Sequence, residues 1–225
     1  MMSTIELKNI KKIYGSGNAQ TIALKGVDFE AEKGEVVLLE GPSGAGKSTL
    51  LTIMGSLQKA SSGTILFNGE NVTEFSDKQR DNLRLNKIGF VLQAYNLVPF
   101  LKVKEQFELA NRVKKTGNLS SDELADLVKL LGIEQLLNKY PNELSGGQMQ
   151  RVAIARALYA NPQVILADEP TASLDSERVK EVGALFKKLA KKQGKAVILV
   201  THDQRLEAYC DHIYDMLDGN LTKRK

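Results

Sequence analysis

This chain of 225 residues contains one cysteine, no tryptophan and five prolines. The single cysteine, Cys210, excludes a disulfide within the chain and a metal site built from several thiolates. We expect Cys210 to pack as a small hydrophobic residue, the alternative being a reactive thiol. The scarcity of cysteine is typical of proteins from a reducing compartment.

Long apolar runs are also missing from the sequence. The longest nearly apolar stretch, residues 88–101, is interrupted by Gln93 and Asn96 and is shorter than the stretch of about 18 residues that a membrane span needs. The first residues lack the charged segment followed by an apolar core that marks a signal peptide. The sequence therefore predicts a chain that is soluble by itself.

Charge of one sign is not concentrated anywhere along the chain. Thirty-one basic and 27 acidic residues give a formal net charge of +4. Because the basic residues are scattered rather than striped, we predict no nucleic-acid partner. Hydrophobic residues make up 42% of the chain, which is enough for one α/β domain with an insertion or for two small lobes that share a site.

Two kinds of periodicity divide the chain. Short alternating stretches within residues 4–29, around a glycine-rich turn at 15–17, predict antiparallel strands. Further strands are predicted at residues 35–40, 63–67, 87–93, 164–167 and 196–201, with helices at 47–57 and 177–192. Residues 95–161 show helical patterns alone, at 103–115, 121–131 and 148–160. The pattern indicates an α/β core interrupted by a helical segment.

The strongest chemical motif is a glycine-rich loop between a predicted strand and a predicted helix. It matches the phosphate-binding pattern GxxxxGK[ST], in which backbone amides and a helix N-terminus bind an anion, the lysine reaches the outer phosphates and the hydroxyl binds Mg²⁺. The alternative, a plain glycine-rich turn, does not account for the complete motif in this context. The motif and the residue after it are Gly41, Pro42, Ser43, Gly44, Ala45, Gly46, Lys47, Ser48 and Thr49.

A pair of acids follows the apolar run at residues 164–167. Asp168 stands at the carboxyl end of this strand, where open α/β sheets bind ligands, so we predict that it holds Mg²⁺ opposite Ser48. Its neighbour Glu169 is then available to orient or deprotonate the attacking water. The alternative is a pair of acids that caps a strand-to-turn junction.

Two more polar residues end predicted strands near these acids. His202 follows the strand at residues 196–201, where a donor would reach a γ-phosphate or a water, and Gln93 offers an amide to the metal just before the helical segment. His212 is interpreted as a structural histidine.

A five-residue element lies in the sequence between the phosphate-binding loop and the two acids. It consists of Leu144, Ser145, Gly146, Gly147 and Gln148. Ser145 and the two glycines lead into a predicted helix, which makes a second anion site at a helix N-terminus. With the phosphate loop before it and the acids after it, this element resembles the signature of the ATP-binding cassette (ABC) ATPases, and the resemblance extends over essentially the whole chain.

The resemblance implies a fold, a cofactor set and roles for residues. The fold is an α/β P-loop NTPase (RecA-like) core with an N-terminal antiparallel β subdomain (residues 1–93 and 162–225 together) and an inserted α-helical signature subdomain (residues 94–161). ATP and Mg²⁺ are the implied ligands, with Lys47, Gln93, Glu169 and His202 in catalytic roles. Tyr14 matches the aromatic residue that stacks on adenine, and Asp175 matches the D-loop acid.

Partners are implied by the same resemblance. In this family two cassettes pair head to tail, so that each signature closes over the ATP of the other copy, and a separate membrane permease binds near the segment after Gln93. This chain is then expected at the cytoplasmic face of the cell membrane. Tyr95, Leu97, Val98 and Phe100 are the candidate permease contacts, although packing inside the helical segment accounts equally well for about half of such residues.

A finer resemblance is to the MacB and LolD group of cassettes. Residues 81–90 and 97–103 look like the ATPases of haem-efflux (Hrt-type) and Dev-type exporters, which implies a bacterial exporter whose cargo is haem, an antimicrobial peptide, a drug or a lipid-like molecule. The alternative is a cell-division-type cassette that signals mechanically across the membrane without transport. A soluble cassette of translation or DNA repair is disfavoured because the chain lacks a second cassette, a coiled-coil insertion and zinc-binding cysteines. Cargo and permease are not defined by the sequence.

Overall fold

The computed structural model describes residues 3–225, which form two β-sheets and a set of helices. The first sheet is antiparallel, with strand order β2-β1-β4-β5. Its strands are β1 Ile5–Tyr14, β2 Thr21–Ala31, β4 Ser62–Phe67 and β5 Glu70–Asn71. Buried and exposed residues alternate along most of β2, as expected for a strand with one covered face.

The second sheet has the order β10-β9-β3-β8-β7-β6. Its strands are β3 Val36–Glu40, β6 Ile88–Val91, β7 Val164–Asp168, β8 Ala196–Val200, β9 His212–Leu217 and β10 Asn220–Lys223. The five strands from β9 to β6 are parallel, and β10 is an antiparallel edge strand. Both faces of the parallel strands are covered, which is why β3, β7 and β8 are almost continuous apolar runs.

Six α-helices accompany these sheets in residues 3–225. They are α1 Lys47–Met54, α2 Asp77–Lys87, α3 Val103–Val113, α4 Ser121–Leu130, α5 Gly146–Tyr159 and α6 Ser176–Gln193. Short 3₁₀ helices lie at Gly17–Ala19, Glu134–Leu136, Pro141–Glu143 and Gln204–Tyr209. None of the helices in the described part of the chain is long and apolar enough to cross a membrane.

Serine side chains fix the starts of three helices. Ser76, Ser120 and Ser145 each accept a hydrogen bond from the backbone three residues on, and the side chain of that residue accepts one from the serine backbone in return. This reciprocal pairing satisfies two backbone donors that a helix leaves free at its first turn. The starts of α2, α4 and α5 are therefore marked in the sequence by a serine with a glutamine or glutamate three positions later.

The parallel sheet separates two hydrophobic clusters. Successive residues of β3 point to opposite faces, so that Val36 and Leu38 join the cluster formed with α5 and α6, while Val37 and Leu39 join the cluster formed with α1 and the antiparallel sheet. Residues 94–161 contain helices and loops without a strand, and α3 and α4 of this segment both pack against α5. The division into a core and an inserted subdomain stays a prediction.

Two regions differ from the sequence-based expectation. Helix α2 was not predicted because Leu83 is its one buried residue, so it lacks an apolar stripe; the cap formed by Ser76 and Gln79 was the available signal. The β9–β10 hairpin was also missed, although its two-residue turn Asp218-Gly219 is a favoured hairpin sequence. The predicted strand at 87–93 is shorter and begins after α2 ends.

Cys210 packs as the sequence suggested. The side chain is 3% exposed, and its thiol donates a hydrogen bond to the Leu206 carbonyl at 3.2 Å. Burial raises the pKa of the Cys210 thiol to about 12, so little reactive thiolate forms at neutral pH. His212 is held by Glu35, with 3.1 Å between its Nε2 and the carboxylate.

Candidate functional site

The phosphate-binding loop joins β3 to α1 at the carboxyl edge of the parallel sheet. Its glycines at positions 41, 44 and 46 all have positive φ, which allows the chain to turn tightly before α1 begins. The Lys47 amine donates to the carbonyls of Gly41 and Pro42 at 2.6 and 2.8 Å. The amine thus lies across the loop, in position to meet an anion held there.

Ser48 and Asp168 lie side by side at this edge. The Ser48 hydroxyl donates to the Asp168 carboxylate at 2.9 Å, although the two residues are 120 positions apart in sequence. A hydroxyl oxygen and a carboxylate oxygen at this separation are the donor types that Mg²⁺ prefers. The two predicted metal ligands therefore come together, and the pair fits the ion.

Glu169 occupies the next position and is held from two sides. Its carboxylate accepts a hydrogen bond from the Thr201 hydroxyl at 2.8 Å and lies 2.9 Å from Nε2 of His202. Glu169 is 8% exposed and has a positive φ of 49°, an uncommon conformation for a residue with a side chain. The carboxylate is therefore fixed in one orientation beside Asp168.

Two residues that hold Glu169 were not predicted from the sequence. Thr201 is fully buried and directly follows the neighbouring strand β8. Gln150, which is 1% exposed, donates from α5 to the Glu169 carbonyl at 3.2 Å. Gln150 connects the signature helix to the acid, and no local sequence pattern indicates this contact.

Tyr14 lies next to the start of α1. Its hydroxyl donates to Gln58 at 2.7 Å and is 3.3 Å from the Thr49 hydroxyl, while 37% of the residue is exposed. The Lys12 amine lies 5.1 Å from the ring centroid. The structure thus brings an exposed aromatic ring close to the phosphate loop, as stacking on a nucleotide base requires.

The signature residues stand at the N-terminus of α5. Ser145 caps the helix, and its backbone donates to the Gln148 side chain at 2.8 Å. A Cβ added to Gly147 would lie 2.8 Å from the Ser173 carbonyl, so a glycine is needed where the loop at residues 173–175 packs against the signature. Leu144 is buried in the core and anchors the element.

Asp175 has a definite structural task in that loop. Its carboxylate accepts hydrogen bonds from the backbone of Glu177 and Arg178 at 3.1 and 3.0 Å and caps α6. The bond from Arg178 lowers the pKa of Asp175, so the cap carries a negative charge at the positive end of the helix.

Gln93 and Tyr95 follow β6 and lead towards the helical segment. Gln93 is exposed, and the Tyr95 hydroxyl lies 2.7 Å from the Ser173 hydroxyl. Tyr95 and Asn96 both have positive φ, and Arg156 of α5 donates to both of their carbonyls. The turn after Gln93 is therefore tied to the loop beside the signature.

Fold and site together define a P-loop ATPase with a signature element. The family described as "ABC transporter" matches residues 24–172 of this chain, and the chain belongs to this family. It is therefore the ATP-binding subunit of an ABC transporter, an ABC ATPase.

Known relatives match over nearly the whole chain. The putative hemin import ATP-binding protein HrtA of Staphylococcus aureus strain MRSA252 is 46% identical over 217 residues, which cover 96% of this chain and 98% of the relative. The HrtA protein of strain bovine RF122 / ET3-1 is 47% identical over 219 residues, with the same coverage.

Solved cassettes share the architecture. A dimeric post-hydrolysis state of the ATP-binding cassette MJ0796, bound to ADP and Pi, is 40% identical, with a TM-score of 0.90 over 98% of this chain and 99% of that one. CbiO1 of Clostridium perfringens, part of the complex cbiONQ, is 33% identical, with a TM-score of 0.82 over 99% and 88% of the two chains. These neighbours support the predicted ABC ATPase fold.

Proposed function

We propose that this chain acts as a homodimer that binds two ATP molecules between its copies and drives a separate membrane permease that exports hemin or a similar amphipathic molecule. The observation that carries the proposal is the signature at the N-terminus of α5, which gives one chain a second anion site in addition to its phosphate-binding loop.

The two anion sites of one chain have different surroundings. The phosphate loop lies next to Ser48 and Asp168, whereas the nearest neighbours of the signature glycines include Ser173 and Leu174. An anion site that is not needed for the chain's own nucleotide is explained if it serves another copy. A two-fold pair in which each signature faces the other phosphate loop satisfies this requirement. The solved structures of the MJ0796 cassette are dimeric, which supports pairing of two copies.

The residues at the sheet edge are assigned roles within this pair. Lys47, the loop amides and the start of α1 bind the phosphates, and Tyr14 binds the base. Ser48, Asp168 and Gln93 would hold Mg²⁺, which neutralises charge on the phosphate oxygens when bound.

In the proposed dimer, Glu169 takes the proton of the attacking water. His202 holds one carboxylate oxygen of Glu169 from the exposed side, and the buried Thr201 hydroxyl holds the other. With both oxygens tethered, the acid is kept beside Asp168 rather than turning away. His202 is then placed to meet the γ-phosphate, and Asp175 lies in the loop that we place at the dimer interface.

An apolar groove on the helical segment is the proposed permease contact. The groove has a volume of about 440 Å³ and is lined by Val98, Phe100, Leu101, Glu105, Glu108, Leu109 and Arg112. Phe100 is 76% exposed, the largest exposure among the large hydrophobic residues described. Of the other candidates, Leu97 packs against the core and Tyr95 binds Ser173. Val98 and Phe100 therefore carry the contact, and Tyr95 connects it to the signature loop.

Replacing Phe100 by aspartate is expected to abolish binding to the permease while leaving ATP hydrolysis by the isolated chain unchanged. The substitution places a charge in an apolar contact that is exposed in the chain alone. Co-purification of the permease with each variant from detergent-solubilised membranes measures the effect. Val113→Asp, at another exposed apolar position, is the matched control. Equal recovery of the permease with Phe100→Asp would contradict the proposed contact.

The cargo and direction of transport rest on the relatives and on the sequence resemblance. The Staphylococcus relatives are named for hemin import, whereas residues 81–90 and 97–103 resemble those of haem exporters. Isolating the complex from membranes and identifying the co-purifying subunit is the first test. Hemin movement in vesicles that contain the complex, with ATP on the side of this chain, then decides the direction.

Stimulation of ATP hydrolysis by hemin is the expected companion result. If hemin neither stimulates ATP hydrolysis nor moves across the membrane, the result would instead favour a cassette that signals mechanically. In complex with the permease, the chain is proposed to lie at the cytoplasmic face of the membrane, where ATP is available.

A further inference from the structure

The hairpin of β9 and β10 lies directly against the phosphate-binding loop. The Gly219 backbone N–H at its tip donates to the Ala45 carbonyl at 3.1 Å, and the Gly219 carbonyl accepts from the Lys25 backbone of β2 at 2.9 Å. One residue of the tip thus joins the phosphate loop to the antiparallel sheet.

The bond to Ala45 sets the direction of the next amide. In a trans peptide the carbonyl and the N–H point in opposite directions. Because Gly219 holds the Ala45 carbonyl, the Gly46 N–H is turned to the side of the loop away from the hairpin. Oriented amides of this kind bind phosphate in glycine-rich loops. The hairpin tip therefore orients a donor for the nucleotide.

Close packing allows the loop little freedom against the hairpin. A Cβ added to Gly41 would lie 2.0 Å from the Met216 carbonyl of β9, and one added to Gly46 would lie 3.0 Å from the end of the Met216 side chain. The loop and the hairpin are in backbone contact, so a shift of one requires a shift of the other.

Arg224 holds the start of the phosphate-binding loop. Arg224 pairs with Glu40, the last residue of β3 before Gly41, and its guanidinium also lies 3.4 Å from Glu207 and 3.5 Å from Asp215. The Arg224 backbone donates to the Ile213 carbonyl of β9 at 2.8 Å. One cation thus links the start of the phosphate loop to the hairpin.

We infer that the β9–β10 hairpin positions the phosphate loop for ATP, with Gly219 and Arg224 as its positioning residues. Neither residue needs to touch the nucleotide. Gly219 holds the loop at Ala45, next to the amide of Gly46, and Arg224 holds it at Glu40, where the chain leaves β3. This inference rests on ATP binding by the chain and is independent of the permease and of the cargo.

Gly219→Ala compared with Gly117→Ala tests the role of the tip. Both glycines have nearly the same φ, 79° and 77°, so alanine is strained equally at either position. A Cβ at Gly219 would meet the Ala23 carbonyl at 2.9 Å and push the tip away, whereas at Gly117 the nearest atom is 3.9 Å distant. Titration of the isolated chain with a fluorescent ATP analogue is expected to show affinity lowered about tenfold for Gly219→Ala and unchanged for Gly117→Ala. Equal affinities of the two folded variants would overturn the inference.

Arg224 supplies a second set of variants if Gly219→Ala does not fold. Arg224→Ala removes an exposed side chain and is expected to raise the KM for ATP about threefold without changing kcat. Arg224→Lys should restore part of the loss, and Lys223→Ala, which removes a neighbouring charge, should have no effect. A KM for Arg224→Ala equal to that of Lys223→Ala would overturn the inference. Because these measurements use ATP and the isolated chain, their failure would leave the proposed permease partnership untouched.

Discussion

ATP hydrolysis by the Glu169→Gln variant is expected to be slower than that of the wild type by at least about a hundredfold, the usual contribution of a positioned general base. Glutamine has the shape of glutamate but takes up no proton from water at neutral pH. It can still accept the hydrogen bond from the Thr201 hydroxyl, which lies 2.8 Å from the carboxylate. The loss is therefore expected in kcat and not in the affinity for ATP.

Phosphate release under saturating ATP measures the rate, and titration with an ATP analogue measures the affinity. Glu177→Gln is the matched control, because Glu177 is an exposed carboxylate in the first turn of α6. A Glu169→Gln variant that hydrolyses ATP at the wild-type rate would rule out the role assigned to this acid.

Lys47→Ala is expected to lower the affinity for ATP by about a hundredfold or more, because hydrogen bonds from a charged donor to phosphate are worth about 1.5–3 kcal/mol each. The Lys47 amine contacts two loop carbonyls, so its loss removes the cation at the point where the phosphates bind. The free energy of unfolding should change much less than the affinity, since the carbonyls that lose this donor are those of a loop with water access.

Equilibrium titration with a fluorescent ATP analogue tests this prediction, and Lys33→Ala, which removes an exposed lysine, controls for the change in net charge. Binding by Lys47→Ala as tight as that by Lys33→Ala would show that the amine is not a phosphate ligand. A lower melting temperature with unchanged affinity would point to a structural role for Lys47.

Much of the site could be predicted because its chemistry is local. The glycines, lysine and serine of the phosphate loop are consecutive, and Asp168 and Glu169 directly follow a recognisable strand. Placing Asp168 opposite Ser48 needed one further rule, that the ends of parallel strands meet at one edge of the sheet. The distance of 2.9 Å between their side chains agrees with that expectation.

The contacts that hold the site could not be predicted, because they join distant elements. No local pattern connects Thr201 or Gln150 with Glu169, or Tyr95 with Ser173. These contacts follow from the strand order and from the packing of α5 against the sheet, which a single sequence does not define. They show that the signature helix contacts Glu169 and that the turn after Gln93 contacts the loop beside the signature.

The β9–β10 hairpin has a local signal in the sequence. Asp218-Gly219 is a favoured two-residue turn, and both residues have the positive φ that such a turn requires. Through its contact with Ala45, the hairpin is proposed to position the phosphate loop. The sequence of the hairpin itself does not indicate this contact.

In the proposed dimer, the signature of one copy completes the ATP site of the other. Light scattering of Glu169→Gln with and without ATP tests it most directly, alongside the double variant Glu169→Gln/Ser145→Arg, whose long side chain fills the space in which the signature backbone would meet the partner's phosphates. We expect the single variant to have the mass of two chains with ATP and of one chain without it, and the double variant to remain a monomer in both. A double variant that dimerises with ATP as fully as the single variant would contradict the claim.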